Sequence, residues 1–316
     1  MHEPARIAIL CFHRVLPASR REGSDEPYFV RQTALALDRF RDLLDELVRR
    51  DAILPPETLL AWLNQGAAPP RPGVILTFDD GYADVLELAA PELQARGVRA
   101  LLCVTTAVAS GVVRGFPVDH WYAAIGAATV RRGMLEGFTR DPWSFDLDLD
   151  EDRARLVEGP EKRAFVGAQT NEQKDMLVRL HRALGVEVLP AIPRVLDVDD
   201  LRSLAREGFL LGSHGERHVH LPRLPECEAA EQMRRSRAFF ADHGLPDACI
   251  LAYPDGATCP RTEALAKAAG FSIGLALGSR FATRDDDPLA LPRLIPTNDP
   301  GWFRRRLLPL FQGEGG

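Results

Sequence analysis

The stretch Val74-Ile75-Leu76-Thr77-Phe78-Asp79-Asp80-Gly81 decides the fold of this chain. Its first five residues form a short apolar run of the kind that becomes a buried strand. Two carboxylates and a glycine then end the strand, and the spacing of apolar residues from about Tyr82 to Arg96 predicts a helix. Gly97, typical of a helix end, leads into a second strand from Ala100 to Val104. Strand and helix therefore alternate around this segment.

The same alternation runs through most of the chain. Further strands are predicted at Ile7–Phe12, Phe209–Gly212, Ile250–Tyr253, Ser272–Leu275 and Leu291–Ile295. Further helices are predicted at Thr33–Arg50, Glu57–Leu63, Asp199–Arg206, Pro225–His243 and Thr262–Ala269. This order indicates an α/β fold with parallel strands and helical crossovers. In such folds the chemistry takes place at the carboxyl ends of the strands.

Composition narrows the class of protein. The chain has 316 residues, of which 46% are hydrophobic and 27% charged, as in ordinary soluble globular proteins. The charges that give the formal net value of −6 are dispersed, so no nucleic-acid partner is expected. The five cysteines contain no Cys-x-x-Cys pair, which argues against a disulfide framework and a thiolate zinc site. With no apolar run long enough for a membrane span and no signal-peptide pattern, a cytoplasmic location is predicted.

Residues that follow the predicted strands include a set of metal ligands. His214 and His218 are four residues apart, so on a helical turn both rings would lie on one face. Asp79 and Asp80 follow a buried strand directly, where two carboxylates are costly to desolvate without a cation. Two histidines and one carboxylate form the open site of a hydrolytic metal and leave the second carboxylate free as a base. The alternatives are solvated histidines and a helix N-cap followed by a first-turn acid.

Two motifs are similar to those of a known family. Residues 77–81, Thr-Phe-Asp-Asp-Gly, and 213–218, Ser-His-Gly-Glu-Arg-His, resemble the first two motifs of the NodB-type polysaccharide deacetylases, carbohydrate esterase family four. The resemblance extends to residues 11–15 (Cys-Phe-His-Arg-Val), 252–256 (Ala-Tyr-Pro-Asp-Gly) and 291–293 (Leu-Pro-Arg). It implies a distorted (β/α)7 barrel and a metal-dependent hydrolase that removes N-acetyl groups from amino sugars.

The resemblance also implies a role for each matching residue. Asp79 would be the general base that activates a metal-bound water, while Asp80, His214 and His218 would bind the metal. Zinc is expected, although these ligands also accept cobalt, nickel or iron. The oxyanion would lie on the metal and on a backbone N–H of the turn from Tyr253 to Gly256, so Tyr253, Pro254 and Asp255 are predicted to contact substrate.

The chain departs from the family pattern at two positions. No histidine follows His243, so the usual C-terminal general acid is missing, and His13 is the candidate to replace it; a structural histidine is the alternative. Ala252 stands where the third motif normally has the arginine that orients the base. Arg293 could reach in from a neighbouring strand to pair with Asp79, unless it is a surface arginine.

Further candidates lie outside the two main motifs. His220 could replace a metal ligand if its turn is irregular. Trp121, together with Tyr122 and Trp143, could stack on sugar faces, although such residues more often anchor an insertion to the core. Cys11 and Cys103 lie within apolar strands and are expected to be core residues.

The strand–helix alternation stops between Ala109 and about Pro193, although a helix is predicted from Glu172 to Leu184. Asp80 precedes this stretch and His214 follows it, yet both are expected to bind one metal. We therefore predict a single deacetylase domain over residues 1–316, with an insertion at about 109–193.

The predicted function is metal-dependent N-deacetylation of an amino-sugar glycan, oligosaccharide or glycan precursor. The altered third motif and the missing histidine leave two alternatives. One is a small-molecule N-acyl amidohydrolase that reuses the site. The other is a catalytically weak glycan-binding relative that keeps the metal ligands.

Overall fold

The computed structural model describes residues 6–20, 26–65, 69, 71–168, 170–188 and 190–312. The chain divides into two compact units. The first comprises residues 1–18, 34–113 and 195–316, and the second comprises 19–33 and 114–194. The second unit thus contains most of the predicted insertion and also residues 19–33, which the sequence analysis did not assign to it. The single-domain organisation stays a prediction.

Strands and helices are numbered along the whole chain. The strands are β1 (Arg6–Phe12), β2 (Arg14–Leu16), β3 (Ala34–Ala36), β4 (Gly73–Phe78), β5 (Leu101–Val104), β6 (Arg132–Leu135), β7 (Trp143–Asp146), β8 (Leu210–Ser213), β9 (Ile250–Ala252), β10 (Ile273–Leu277), β11 (Ala282–Thr283) and β12 (Leu291–Arg293). The helices are α1 (Pro27–Val30), α2 (Leu37–Arg49), α3 (Glu57–Gln65), α4 (Ala90–Gln94), α5 (Thr106–Ala109), α6 (Pro117–Gly126), α7 (Asp150–Glu158), α8 (Pro160–Gly167), α9 (Thr170–Leu184), α10 (Val198–Arg206), α11 (Glu226–Asp242) and α12 (Pro260–Ala268). A π-helical turn, Val85–Ala89, leads into α4.

The first unit is built on an eight-stranded sheet in the order β11-β1-β4-β5-β8-β9-β10-β12. All strands from β1 to β12 in this order pair in parallel, and β11 lies antiparallel to β1. Leu294, directly after β12, donates to Ile9 O and accepts from Cys11 N–H of β1, both at 2.8 Å. These bonds bring the last strand back to the first, so seven parallel strands form a nearly closed barrel. The predicted α/β barrel is confirmed.

Alternate residues along each barrel strand face opposite sides. On β1, Ile7 and Ile9 pack in one buried cluster with Ile75 of β4 and Leu291 of β12. Their strand neighbours pack in a separate cluster with residues of α2, α4 and α10. The first cluster fills the barrel interior and the second lies beneath the surrounding helices. Asp79 follows Ile75 at an even spacing, and therefore continues the interior row at the carboxyl end of β4.

The second unit contains α1, α6 to α9 and the β6–β7 hairpin. Trp121 of α6 is fully buried at its centre, with its ring stacked on Phe165 at a centroid distance of 5.1 Å. Tyr28 donates to the buried carboxylate of Asp119 at 2.6 Å, which ties the short α1 into this unit. Along the described ranges of both units, no helix is long and apolar enough to cross a membrane.

Candidate active site

The loop after β4 turns sharply and carries both predicted carboxylates. The N–H of Asp79 donates to Phe12 O at 2.8 Å, so this residue still pairs with the end of β1. The next two residues are left-handed, with φ of 72° at Asp80 and 94° at Gly81. A Cβ at Gly81 would lie 3.2 Å from Val104 Cγ1, so glycine also allows the loop to approach β5 closely.

Asp80, His214 and His218 come together as predicted. Oδ1 of Asp80 lies 3.4 Å from Nε2 of His214 and 3.3 Å from Nε2 of His218. His214 follows β8, where its N–H donates to Val104 O at 2.8 Å, and the two imidazole centroids are 4.9 Å apart. One ligand atom from each residue lies within 4.8 Å of the others. This group does not include His220, the predicted alternative ligand.

The hydrogen bonds around the group leave its inner atoms available for a metal. Nδ1 of His214 lies 2.8 Å from Ala252 O, and because a carbonyl only accepts, Nδ1 carries a proton and Nε2 is the nitrogen that faces Asp80. Oδ1 of Asp80 and Nε2 of His214 are buried, and neither has a hydrogen-bond partner among the described residues. A buried carboxylate oxygen and imidazole nitrogen that face each other in this way fit a divalent cation between them.

Backbone strain is concentrated at the same place. The described non-glycine residues with positive φ are Gln32, Asp51, Asp80, His218 and Asp255. Two of them are ligand candidates, and Asp255 belongs to the turn that corresponds to the third motif. Such conformations persist only where the surrounding structure enforces them, and they are frequent at functional sites.

Asp79 is held by Arg293, the last residue of β12. Nη1 donates to Oδ1 at 2.8 Å and Nη2 to Oδ2 at 2.6 Å, in a two-bond pairing within the barrel. Arg293 is 1% exposed, so it is not a surface arginine, and the pairing predicted from the sequence is present. Nη1 also donates to Thr77 Oγ1 at 3.1 Å, and Nε to Ala276 O at 3.3 Å.

The charges of the site set its protonation. Burial alone would raise the pKa of Asp79, but Arg293, helped by His214, outweighs burial and lowers this pKa to about 2. Burial would likewise raise the pKa of Asp80, yet the neighbouring imidazoles of His214 and His218 bring it below its ordinary value. Both carboxylates are therefore ionised at neutral pH. The two carboxylates in turn overcome burial and raise the pKa of His214.

His13 lies beside Asp79. One of its nitrogens, the sulfur of Cys11 and an oxygen of Asp79 are within 4.8 Å of one another. Its Nδ1 is buried and has no hydrogen-bond partner in the described part of the chain. Burial lowers the pKa of His13 more than Asp80 and Asp79 raise it, so the ring is neutral at neutral pH.

The turn after β9 carries the residues predicted to contact substrate through a backbone N–H. Tyr253 is fully buried, and its hydroxyl donates to Leu289 O at 2.9 Å, so its side chain belongs to the core. Pro254 is buried too, whereas Asp255 is exposed. The N–H groups of Tyr253 and Gly256 are taken by Leu275 O and Tyr253 O, at 3.0 and 2.8 Å. Proline has no N–H, which makes that of Asp255 the candidate oxyanion donor.

Trp121 does not stack on sugars. Its ring is fully buried in the second unit, and its indole N–H donates to Leu156 O at 2.8 Å. Tyr122 and Trp143 are also buried. The prediction of substrate contact is therefore wrong for Trp121, and the alternative, a core residue of the inserted region, describes it.

Sequence reasoning missed two residues that contact the Asp79–Arg293 pair. Thr77 accepts from Arg293 and donates to Leu10 O at 2.8 Å, and Cys11 donates to Asp79 Oδ2 at 3.4 Å. Cys11 and Thr77 are direct partners in the β1–β4 ladder. The signal was strand periodicity, because Thr77 precedes Asp79 by two residues and must share its face.

Comparisons with known proteins agree with this geometry. Residues 165–274 match a family model described as Polysaccharide deacetylase. No curated protein sequence matches the chain.

The whole fold is similar to solved deacetylases at low identity. The Streptococcus pyogenes deacetylase PplD in complex with acetate is 15% identical over 98% of this chain and 100% of its own, with a TM-score of 0.62. IcaB from Ammonifex degensii is 19% identical over 96% of each chain, with a TM-score of 0.57. A de-N-acetylase from Aggregatibacter actinomycetemcomitans is 15% identical over 96% of this chain and 99% of its own, also at 0.57.

The family model is evidence from sequence, and the solved structures are evidence for the fold. Together with the two motifs at the carboxyl ends of β4 and β8, the family match over residues 165–274 supports the resemblance of this chain to the polysaccharide deacetylases, and the solved structures show that it shares their fold.

Proposed function

We propose that this chain is a metal-dependent N-deacetylase that hydrolyses N-acetyl groups on an amino-sugar glycan, oligosaccharide or glycan precursor. One observation carries the proposal. Asp80, His214 and His218 converge, and Oδ1 of Asp80 and Nε2 of His214 are buried without a hydrogen-bond partner among the described residues. Directly beside them, an ionised carboxylate, Asp79, is fixed by Arg293.

Asp80, His214 and His218 would hold the metal, which is expected to be zinc, with cobalt, nickel or iron as other ions for the same ligands. When bound there, a divalent ion acts as a Lewis acid on the amide carbonyl and on water. Arg293 keeps Asp79 ionised and in one orientation, and Asp79 lies close enough to His214, at 3.9 Å between Oδ2 and Nε2, to serve the same reaction centre.

The proton follows a path through this chain's own residues. Asp79 takes a proton from the attacking water as the new carbon–oxygen bond forms. A carboxylic acid with a pKa of about 2 does not keep this proton at neutral pH, and neutral His13 is the adjacent acceptor. His13 then donates it to the amide nitrogen as the carbon–nitrogen bond breaks, which releases acetate and a free amine.

The N–H of Asp255 is the proposed donor to the developing oxyanion. Its left-handed backbone, with φ of 57°, fixes the direction of that N–H group. The contribution comes from the backbone, so the side chain of Asp255 is free to change. This makes Asp255→Asn a matched control, since asparagine tolerates the left-handed region well.

The test compares Asp79→Asn with Asp255→Asn. Acetate release from N-acetylglucosamine oligomers is measured with zinc present, and zinc affinity is measured for both variants. We expect Asp79→Asn to lose activity by at least about 10²-fold with zinc still bound, the size typical of a general base. Asp255→Asn should remain active. An Asp79→Asn enzyme with wild-type turnover would refute the assigned base.

A substrate panel separates the glycan from the smaller alternative. Chitooligosaccharides are assayed beside N-acyl amino acids under the same conditions. Turnover of the oligosaccharides supports the proposal, and turnover confined to the N-acyl metabolites would reassign the site to a small-molecule amidohydrolase.

A further inference from the structure

A buried ion pair outside the metal group braces the segment that carries His13. Nε of Arg14 donates to Oδ2 of Asp84 at 2.7 Å, and the backbone N–H of Val15 donates to Oδ1 of the same carboxylate at 3.0 Å. Arg14 is 6% exposed and Asp84 is 7% exposed. The guanidinium also lies over the ring of Tyr82, with Cζ 4.6 Å from the ring centroid. One carboxylate therefore binds both residues that follow His13.

The brace joins the two loops that the proposed chemistry needs. Asp84 lies four residues after Asp80, in the turn that leads into the π-helical segment Val85–Ala89. On the other side of His13, Phe12 O accepts the N–H of Asp79 at 2.8 Å. Residues 12–15 are thus tied to the β4 loop both before and after His13, through Asp79 on one side and Asp84 on the other.

His13 depends on this arrangement because nothing fastens its Nδ1. That atom is buried without a hydrogen-bond partner in the described chain, so no bond to Nδ1 sets the orientation of the ring. Its place relative to Asp79 is instead set by the backbone of residues 12–15. A displacement of about 1 Å between reacting groups can lower a rate by about 10²-fold.

We propose that Asp84 is a positioning residue for His13: through Arg14 and the N–H of Val15 it holds the segment that sets His13 beside Asp79. The inference rests on the proposed function, in which His13 donates the proton. Asp84 does not touch substrate, and its effect passes through His13.

A double-mutant cycle between Asp84→Asn and His13→Ala tests this coupling. Acetate release is measured for both single variants and for the double variant, with melting temperature and zinc affinity determined for each. His13→Ala is expected to lower kcat by about 10²-fold or more, as for loss of a general acid. Asp84→Asn is expected to lower kcat by about 10-fold to 10²-fold with KM unchanged. In the His13→Ala background, Asp84→Asn should change kcat by less than about twofold, since residues acting as a unit are not additive.

Asp286→Asn is the matched control. Its carboxylate also accepts a backbone N–H, that of Thr283 at 2.7 Å, and pairs with Arg280, but at β11, beside the start of β1 and away from the site. Its kcat should equal that of the wild type even if its melting temperature falls. If Asp84→Asn does not give folded protein, Arg14→Gln enters the same cycle, since it removes one bond and keeps that of Val15.

The possible outcomes test the positioning role of Asp84 separately from the assignment of His13 as the proton donor. Equal losses from Asp84→Asn in both backgrounds would overturn the positioning role and leave His13 as the acid. A His13→Ala enzyme with wild-type kcat would overturn the assignment of His13 itself, and with it this inference. Zinc affinity equal to that of the wild type in Asp84→Asn, together with a loss of kcat that disappears in the His13→Ala background, supports the proposal.

Discussion

Replacing Arg293 by methionine should destabilise the barrel strongly. Asp79 and Arg293 are 1% exposed each, so water cannot solvate the charge of either side chain when its partner is removed. With Arg293 in place, the pKa of Asp79 falls from its ordinary 3.8 to about 2 despite the burial. One pKa unit corresponds to about 1.4 kcal/mol, so the ionised carboxylate stabilises the folded state by roughly 2–3 kcal/mol at neutral pH. Removing one partner of a buried pair typically costs about 3–5 kcal/mol, which is the loss expected for Arg293→Met.

The stability difference between the wild type and Arg293→Met should also depend on pH. In the wild type the folded-state pKa of Asp79 is lowered, so its stabilisation is complete above about pH 4 and is lost as the pH falls toward 2. In Arg293→Met, burial is left as the main influence and raises the pKa of Asp79 above its ordinary value. In this variant Asp79 is therefore protonated as the pH falls, which removes the unpaired buried charge and its cost to stability. The stability difference should therefore be largest at pH 7 and narrow toward pH 3.

Urea unfolding followed by circular dichroism, with EDTA present so that metal binding does not contribute, measures the difference at both pH values. Arg280→Met is the control, since Arg280 forms a surface pair with Asp286 and its side chain is 58% exposed. Such pairs contribute about 0–1 kcal/mol. A second control is the double variant Asp79→Asn with Arg293→Met. It should recover part of the free energy of unfolding that Arg293→Met loses, because it has no unpaired buried charge. A loss below about 1 kcal/mol for Arg293→Met, or one that is the same at pH 7 and pH 3, would refute the reasoning.

Three further predictions concern the metal ligands, the second unit and the β4 loop. His218→Ala should weaken zinc binding by at least about 10²-fold in a chelator competition, because it removes one of three protein ligands; zinc affinity equal to that of the wild type would exclude His218 as a ligand. Trp121→Ala should lower the free energy of unfolding by about 3–5 kcal/mol and leave KM for oligosaccharides unchanged, because the ring is wholly buried; a raised KM with little loss of stability would restore its role in sugar binding. Gly81→Ala should lower the melting temperature more than Gly97→Ala, since both glycines have positive φ but only Gly81 would bring a Cβ to 3.2 Å from Val104 Cγ1; equal shifts would show that the close approach does not matter.

Periodicity predicted the alternation of strands and helices and placed the candidate ligands at strand ends, whereas the closed barrel and the role of each ligand were implied by the family resemblance. The strand before Asp79 and the strand before His214 are short apolar runs with polar residues directly after them, and the structure has β4 and β8 there. Arg293 was proposed as the partner of Asp79 because Ala252 stands where the family pattern has the arginine that orients the base. The strand positions depend on backbone topology, which the apolar pattern encodes, but this pairing depended on the resemblance.

The errors concern side-chain burial and local pairing that the pattern does not encode. Trp121 was assigned to substrate because aromatic rings suit both sugars and cores, and only the surrounding packing decides between them. The β6 strand, Arg132–Leu135, was missed because only one of its four residues is buried, so it has no apolar alternation to detect. The bond from Val15 to Asp84 spans 69 residues and likewise leaves no local signature.

Because β12 closes the barrel, the order of synthesis on the ribosome affects when the barrel can fold. Asp79 and Arg293 are separated by 214 positions in the chain. At a synthesis rate of about 10 residues per second, Arg293 is added to the chain roughly 20 s after Asp79. The second unit, which ends at residue 194, is synthesised about halfway through that interval, while the interior of the first cannot yet enclose a charge. The candidate active site is therefore among the last parts of this molecule to become native, and a nascent chain arrested before Leu291 would carry every proposed metal ligand without a closed barrel to hold them.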